Sequence, residues 1–192
     1  LGAALELSAN MLSKSNFEGY DFLHVEGYLV QNHKLLKTIL KLAKEAGLKV
    51  SLDLASYNIV EENIDFLHDM VRNYVDIVFA NEEEAKAFTG KEPEEALNDI
   101  AAITDIAVVK VGSKGSMIKQ GDTTIYISPI KAQSVDTTGA GDLYASGFLY
   151  GLANNLGFEK AGSLGSLLAG TVIEVVGAKF GEDKWQEIRE KI

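Results

Sequence analysis

The chain has 192 residues, 46% of them hydrophobic and 24% charged, which is the composition of a globular protein large enough to bury a core. Its formal net charge of −10 disfavours nucleic acid and anionic membranes as partners, because both are bound through clustered Lys and Arg. The absence of cysteine excludes disulfides and thiolate metal sites.

No segment predicts a membrane span or an export signal. The best apolar stretch, residues 164–176, is too short to cross a bilayer and contains Glu174. Residues 1–12 lack a basic region and carry Glu6, so no signal peptide is predicted. We therefore expect a cytoplasmic protein.

Strands and helices alternate through the first half of the chain. The predicted elements are a buried strand over 22–27, a helix over 32–46, a strand over 49–54, a helix over 61–74 and a strand over 76–80. Strands separated by helices in this way form right-handed crossovers, which predicts a parallel sheet covered by helices. Ligands bind at the carboxyl ends of such strands, where Glu26, Asp53 and Asn81 lie.

The second half adds a small antiparallel element and further helices. In chain order we predict helices over 81–90 and 93–103, a strand over 106–111, a turn over 112–115, antiparallel strands over 116–119 and 123–128, and helices over 140–154, 159–176 and 183–191. No repeat, low-complexity tract or linker interrupts this pattern. We therefore predict one domain over residues 1–192.

The stretch Asp136-Thr-Thr-Gly-Ala-Gly-Asp142 has the pattern of a tight loop that opens a helix. The helix that follows is expected to direct Leu143, Gly147, Tyr150 and Gly151 to one face. A helix start offers unpaired N–H groups and partial positive charge, so it attracts an anion such as phosphate. The small residues 139–141 let a phosphate approach the backbone closely.

An acid at this helix start should repel the anion that the loop attracts. Asp142 is therefore predicted to have a chemical role, such as accepting the proton of a hydroxyl that attacks the phosphate. The plainer alternative is an acid that favours a helix N-terminus through the helix dipole, an effect of roughly 0.3–1 kcal/mol.

These residues resemble the ribokinase-like carbohydrate and nucleoside kinases of the PfkB family. The stretch 136–142, followed by Ser-Gly-Phe-Leu at 146–149, is similar to the C-terminal signature of that family. Asn81-Glu-Glu-Glu84 resembles the family's Asn-x-x-Glu element, and the segment 110–115 resembles its nucleotide-lining turn. Val175-Val-Gly-Ala-Lys resembles its cation-binding segment, and the style of the C-terminal half looks closer to adenosine-kinase-like bacterial members than to ribokinase itself.

The resemblance implies a three-layer α/β/α ribokinase-like core and transfer of the γ-phosphate of ATP to a primary hydroxyl of a sugar or nucleoside. It implies that Asp142 is the general base and that Gly139, Ala140 and Gly141 form the anion hole. It also implies that Asn81 lies near the phosphates and that Glu84 holds Mg²⁺ through water. The plainer reading of Glu84 is a solvated acidic face shared with its neighbours.

Two further sets of residues follow from the resemblance. The first set contacts the nucleotide and comprises Lys110, Gly112 and Gly115, although a plain hairpin turn needs the same glycines. The second set binds a monovalent cation such as K⁺ and comprises Asp136, the carbonyl of Thr138 and the carbonyls near Val172, Val175 and Gly177. Asp136 alone is equally consistent with a turn-stabilising or loop-capping acid.

The resemblance also predicts what the 192 residues lack. Family members carry an N-terminal portion with a Gly-rich substrate motif, an acceptor-binding acid and a lid, and none has a counterpart here. We therefore expect the C-terminal part of a longer kinase, inactive by itself and acting on a small-molecule acceptor when whole, with a homodimer left open.

Two alternatives to a sugar or nucleoside kinase remain. One is a kinase of vitamin precursors, which shares the fold and the base, and the other is a non-catalytic nucleotide-binding or regulatory module. A Rossmann dinucleotide-binding protein is disfavoured, because no Gly-x-Gly-x-x-Gly follows the first strand.

Overall fold

A computed structural model describes residues 6–190 of the chain. Its strands are β1 (Phe22–Glu26), β2 (Lys49–Asp53), β3 (Ile77–Asn81), β4 (Ile106–Lys110), β5 (Ser116–Gln120) and β6 (Thr123–Ile127). Its helices are α1 (His33–Glu45), α2 (Tyr57–Glu62), α3 (Ile64–Tyr74), α4 (Glu82–Thr89), α5 (Pro93–Ala101), α6 (Ala140–Ala153), α7 (Phe158–Val172) and α8 (Glu182–Arg189). The predicted end of the last helix, residue 191, lies outside the described residues.

The described strands form one sheet in the order β1-β2-β3-β4-β5-β6. The β1–β2 and β2–β3 pairs are parallel, whereas the two-residue turn between β5 and β6 makes those neighbours antiparallel. The predicted α/β class, with a mostly parallel sheet and a small antiparallel element, is therefore confirmed. Within residues 6–190, no helix has both the length and the apolar character needed to cross a membrane.

The chain divides into two compact units. Among the described residues, the first contains 6–109 and 119–122, and the second contains 110–118 and 123–190. In the first unit, parallel pairing sets Glu26 opposite Asp53 at the carboxyl ends of β1 and β2. The predicted burial of the first strand is wrong, because only Val25 of β1 is buried.

A single helix over 61–74 is also wrong, because Asn63 separates α2 from α3. The side-chain amide of Asn63 donates to the carbonyl of Ile59 at 2.9 Å, and its Oδ1 is 2.8 Å from Nε2 of His33. A short amide side chain that bonds locally in this way competes with the helical hydrogen bonds. This competition accounts for the break.

In the second unit, α6 and α7 pack with their backbones in close contact. A Cβ added to Gly147 would lie 2.7 Å from the backbone carbonyl of Leu164, and one added to Gly151 would lie 2.6 Å from the Cβ of Ala161. The predicted inner face of α6 is therefore partly wrong: Gly147 and Gly151 face α7, but Tyr150 is 51% exposed. Tyr144 is buried instead.

The predicted extension of α7 to residue 176 is wrong as well, because the helix ends at Val172. The carbonyl of the next residue, Ile173, accepts hydrogen bonds from the N–H groups of Val135 at 2.7 Å and Asp136 at 3.2 Å. Residues 173–178 therefore form an irregular segment that supports the loop before α6.

Candidate functional site

The loop that precedes α6 presents backbone donors at the start of the helix. Gly139 is the N-cap, Ala140 donates to the carbonyl of Thr137 at 3.2 Å, and Leu143 closes the first helical hydrogen bond to Gly139 at 2.9 Å. The N–H groups of Gly139, Gly141 and Asp142 have no acceptor within residues 6–190. The start of α6 therefore offers three unpaired donors and the positive end of the helix dipole.

The Asp142 side chain is exposed in the first turn of α6. It makes no hydrogen bond or ion pair with any other residue in the described part of the chain. An acid at the third helical position often folds back to cap the N-terminus, and Asp142 does not. The carboxylate is therefore available to an external partner beside the unpaired donors.

Gly139 is required by two independent constraints. Its φ is +80°, in the left-handed region that residues with a Cβ rarely adopt, and a Cβ there would lie 2.7 Å from the Cβ of Ala178. The turn before α6 is thus packed directly against the segment 173–178. A side chain at this position would displace the donors from that segment.

The Asp136 carboxylate fastens the same two segments together. Its Oδ1 accepts the N–H of Thr138 at 2.9 Å and the hydroxyl of Thr138 at 2.7 Å, and its Oδ2 accepts the N–H of Gly177 at 2.8 Å. The backbone N–H groups of Thr138 and Gly177, with the Thr138 hydroxyl, hold the pKa of Asp136 below its usual range because they favour the ionised form. Asp136 therefore acts here as a loop-stabilising acid.

The structure brings together the residues predicted for a monovalent cation. Asp136 bonds to both Thr138 and Gly177. Val172 and Val175 lie in the turn that leads to Gly177, where the Val172 carbonyl accepts the N–H of Val175 at 3.2 Å. Such cations need oxygen ligands, and this turn is rich in backbone carbonyls. Three hydrogen-bond donors already contact the Asp136 carboxylate. The residues therefore fit a cation held mainly by backbone carbonyls.

The turn predicted to line a nucleotide follows β4. Val111 donates to the carbonyl of Gly115 at 2.8 Å, and Gly115 donates to that of Gly112 at 3.0 Å. Gly112 and Gly115 have φ of +54° and +95°, and a Cβ on Gly115 would overlap the carbonyl oxygen of Ile127. The turn itself therefore requires both glycines, and Lys110 lies half-buried at its start.

Asn81 and Glu84 lie in the first unit, where β3 ends and α4 begins. The Asn81 Oδ1 accepts the N–H of Glu84 at 2.9 Å, while the Glu84 carboxylate accepts the Asn81 N–H at 2.8 Å and its side-chain amide at 2.7 Å. This reciprocal capping box satisfies the helix start, and Glu84 is only 4% exposed. The expectation of a solvated acidic face is therefore wrong for Glu84.

The few metal-ligating side chains near Asn81 and Glu84 limit how this part of the chain could hold magnesium. No group of three His, Cys, Asp or Glu residues in the described ranges could hold a metal ion. Mg²⁺ in kinases usually keeps several waters and is held by one or two carboxylates and by substrate phosphates. Glu84 fits that pattern as a contact made through water, because its oxygens already accept from Asn81.

Two residues that sequence reasoning left aside lie beside the turn at 112–115 and in helix α6. Ser116, directly after Gly115, shares a buried hydrogen bond of 2.6 Å with the hydroxyl of Tyr144. No local pattern signals this pair, because its members are 28 positions apart. Only the burial of a polar aromatic residue inside a helical apolar stripe could have suggested that a partner exists.

A mostly parallel α/β sheet with a glycine loop that opens a helix is an arrangement that many phosphate-binding α/β proteins share. The family model for the pfkB family carbohydrate kinases matches residues 1–185. The chain belongs to the pfkB family of carbohydrate kinases.

Several relatives are similar over most of the chain. The ribokinase of Lactococcus lactis is 33% identical over 162 residues, which are 83% of this chain and 50% of that protein. The structure of a probable sugar kinase from Rhizobium etli CFN 42 superposes with a TM-score of 0.89 and 33% identity. The adenosine kinase of Sinorhizobium meliloti superposes with a TM-score of 0.91 and 29% identity.

Both structural matches cover 98% of this chain and 59% of the other chain. In the sequence comparison, the chain spans about half the length of the Lactococcus ribokinase, because the matched residues are 50% of that protein.

Proposed function

We propose that the chain carries the general base and the nucleotide-binding loops of a kinase that transfers the γ-phosphate of ATP to a primary hydroxyl of a sugar or nucleoside. The observation that carries this proposal is the exposed Asp142, which has no partner within residues 6–190 and adjoins three unpaired backbone donors. Membership of the pfkB family and the resemblance to a ribokinase and an adenosine kinase support the same reaction class.

Asp142 serves as the general base. It accepts the proton of the acceptor hydroxyl as that oxygen attacks the γ-phosphorus and the bond to the β-phosphate oxygen breaks. Because the side chain has no internal partner in the described residues, this role requires no rearrangement of the first turn of α6. Positioned bases contribute on the order of 10² to 10⁴ in rate.

The start of α6 serves as the anion hole. The predicted donors were residues 139–141, and the hydrogen bonds refine that set: Ala140 is bonded to Thr137, whereas Gly139, Gly141 and Asp142 keep unpaired N–H groups. Charge in phosphoryl transfer spreads over the transferring oxygens, so preorganised donors stabilise the transition state. Each such donor is worth about 3 kcal/mol in other enzymes.

ATP and Mg²⁺ are the proposed cofactors. When bound, magnesium would neutralise charge on the phosphates, and Glu84 would hold one of its waters while Asn81 keeps that carboxylate in place. Lys110 and the turn at Gly112 and Gly115 would contact the nucleotide. Asp136, Thr138, Val172, Val175 and Gly177 would surround a monovalent cation such as K⁺, which stabilises the anion-hole loop.

The decisive test is Asp142→Asn in the intact gene product, assayed with ATP and Mg²⁺ against adenosine, ribose, fructose and pyrimidine alcohols. We expect turnover to fall at least about 10²-fold on whichever acceptor is phosphorylated, because the base is lost while shape is kept. The matched control is Glu159→Gln, which removes an exposed acid from the first turn of α7 and should leave turnover unchanged.

Each result has a definite meaning. A loss of only a few-fold in Asp142→Asn would remove the base assignment. Binding of ATP without phosphorylation of any acceptor would favour a nucleotide-binding or regulatory module. Phosphorylation of the pyrimidine alcohols alone would favour a vitamin-precursor kinase with the same base.

A further inference from the structure

The helix that carries Asp142 is anchored by a buried polar contact two residues further on. The Tyr144 hydroxyl and the Ser116 hydroxyl share a hydrogen bond of 2.6 Å, and the two residues are only 4% and 2% exposed. A buried hydroxyl pair is stable only while both members are satisfied. The contact therefore fixes the phenol of Tyr144 at one place beneath α6.

Helix α7 closes on the same side chain. A Cβ added to Gly165 would lie 3.2 Å from two ring carbons of Tyr144 and 2.8 Å from its carbonyl oxygen. The ring is thus confined between the backbone of α7 and Ser116, and it cannot swing without losing one of these contacts. A Cβ added to Gly147, one turn along α6, would lie 2.7 Å from the Leu164 carbonyl.

A fixed Tyr144 determines where Asp142 points. With 3.6 residues per turn, residues two positions apart on a helix differ by about 200° around its axis, so their side chains lie on opposite faces. The inward direction of Tyr144 therefore directs Asp142 outward, as its exposure shows. A rotation of the first turn that moved the phenol would move the carboxylate by the same angle.

The other partner lies at the end of the predicted nucleotide turn. Ser116 follows Gly115, whose carbonyl accepts the N–H of Val111 and whose backbone abuts Ile127 so closely that a Cβ cannot fit. Ser116 is thus held by a rigid turn. The hydrogen bond joins that turn to the first turn of α6.

We infer that Tyr144 and Ser116 are positioning residues, which set the rotation of the first turn of α6 and so aim the Asp142 carboxylate at the acceptor hydroxyl. The inference rests on the proposed function, because it assumes that Asp142 is the base. Neither residue touches the reacting atoms. Their contribution is geometric, and a misplacement of about 1 Å can lower a rate 10²-fold.

Burial raises the pKa of Tyr144 to about 12, although the hydrogen bond with Ser116 opposes that rise. The phenol therefore stays protonated throughout the range in which a kinase is assayed. The effect of removing its hydroxyl should be the same at every pH in that range, which separates positioning from a direct proton-transfer role.

The experiment compares Tyr144→Phe, Ser116→Ala and the double variant in the intact gene product. We expect each single variant to lower kcat about tenfold, with the KM for ATP and for the acceptor unchanged within about twofold, and the double variant to be no worse than either. The ratio of variant to parent kcat should be constant between about pH 6 and 9, because the Tyr pKa lies above that range. The matched control is Tyr150→Phe, the same chemical change at an exposed position of α6.

The double variant separates positioning from stability. Removing both hydroxyls leaves neither one unsatisfied, so thermal stability should recover toward that of the parent protein, whereas kcat should stay low. Recovery of kcat together with stability would overturn the inference. If Tyr144→Phe does not fold, Ser116→Ala alone decides, and an unchanged kcat there would also overturn it.

The Asp142→Asn variant distinguishes failure of the proposed function from failure of the positioning inference. If that variant is active, the proposed function fails whatever Tyr144 does. If it is inactive while Tyr144→Phe and Ser116→Ala keep the parent kcat, only the positioning inference fails.

Discussion

Three helix starts in the described residues carry an acid at the third helical position, namely Glu84, Glu95 and Asp142, and the first and last of these side chains behave differently. Glu84 folds back onto Asn81 and closes a capping box, whereas Asp142 remains exposed without a partner in the described residues. The difference lies in the N-cap: Asn81 offers a side-chain amide to the acid, and Gly139 offers none. The sequence motif marks both acids, but only their hydrogen bonds separate the structural acid from the available one.

This contrast predicts that removing Glu84 destabilises the fold, whereas removing Asp142 leaves its stability almost unchanged. Glu84→Ala should lower the free energy of unfolding by about 1–3 kcal/mol, because it leaves two N–H donors of the half-buried Asn81 without their acceptor. Asp142→Ala should change it by less than about 0.5 kcal/mol, since surface substitutions without partners rarely do more. Urea denaturation of both variants measures the difference, and equal losses would contradict it.

At the level of single residues, the motif at 136–142 could be predicted because its small residues and acids are adjacent in sequence. The capping role of Glu84 could not be separated from a solvated face, since Glu82 and Glu83 look the same in sequence. The two Thr138 donors fit the turn-stabilising reading of Asp136, but the third donor was out of reach, because it comes from the distant Gly177.

At the level of elements, the close contact of α6 with α7 determines the face that α6 buries. Glycines at 147, 151 and 165 let the two backbones approach, and this approach turns Tyr144 inward and leaves Tyr150 exposed. Apolar spacing alone predicted that Tyr150 faces inward, because periodicity reflects side-chain character and not how closely the neighbouring helix approaches. Apolar spacing also gave no sign of the break at Asn63 or of the early end of α7, because it does not register the hydrogen bonds of Asn63 and of the Ile173 carbonyl.

Gly147→Ala tests this contact. The added Cβ would lie 2.7 Å from the backbone of Leu164, which cannot move away as a flexible side chain could. We expect the free energy of unfolding to fall by about 1–3 kcal/mol, as overpacking usually costs. Ser163→Ala, at an exposed position of α7, is the control that should stay near the parent value in the same urea titration.

At the level of the whole molecule, the free energy of folding depends on pH through Asp76. This carboxyl is 8% exposed and accepts the Val50 N–H at 2.7 Å, two bonds from Lys44 at 2.8 Å and one from Lys49 at 3.2 Å. Burial raises its pKa, but these donors outweigh burial and lower the pKa below its usual value. The ionised form is therefore favoured in the folded state.

The sign of the pH dependence follows. Because the folded pKa of Asp76 is depressed, its stabilisation is present above the unfolded pKa of about 3.9 and is lost as the pH falls through the folded value. Asp76→Asn should therefore flatten the decline of the unfolding free energy between about pH 5 and pH 2, although it lowers that energy near neutrality. Asp105→Asn, an exposed partner of Lys49, should leave the slope almost unchanged. Parallel slopes for Asp76→Asn and the parent protein would contradict this assignment.

The carboxylate of Asp136 makes two distant amides share one acceptor. Opening the loop at Thr138 and opening the segment at Gly177 both release that carboxylate, so their amide hydrogens should exchange with solvent as a coupled pair. In Asp136→Asn both amides should lose protection from exchange, while the amide of Leu143, bonded to Gly139, should keep most of its own. Mass-spectrometric exchange would then reveal the lifetime of the closed loop.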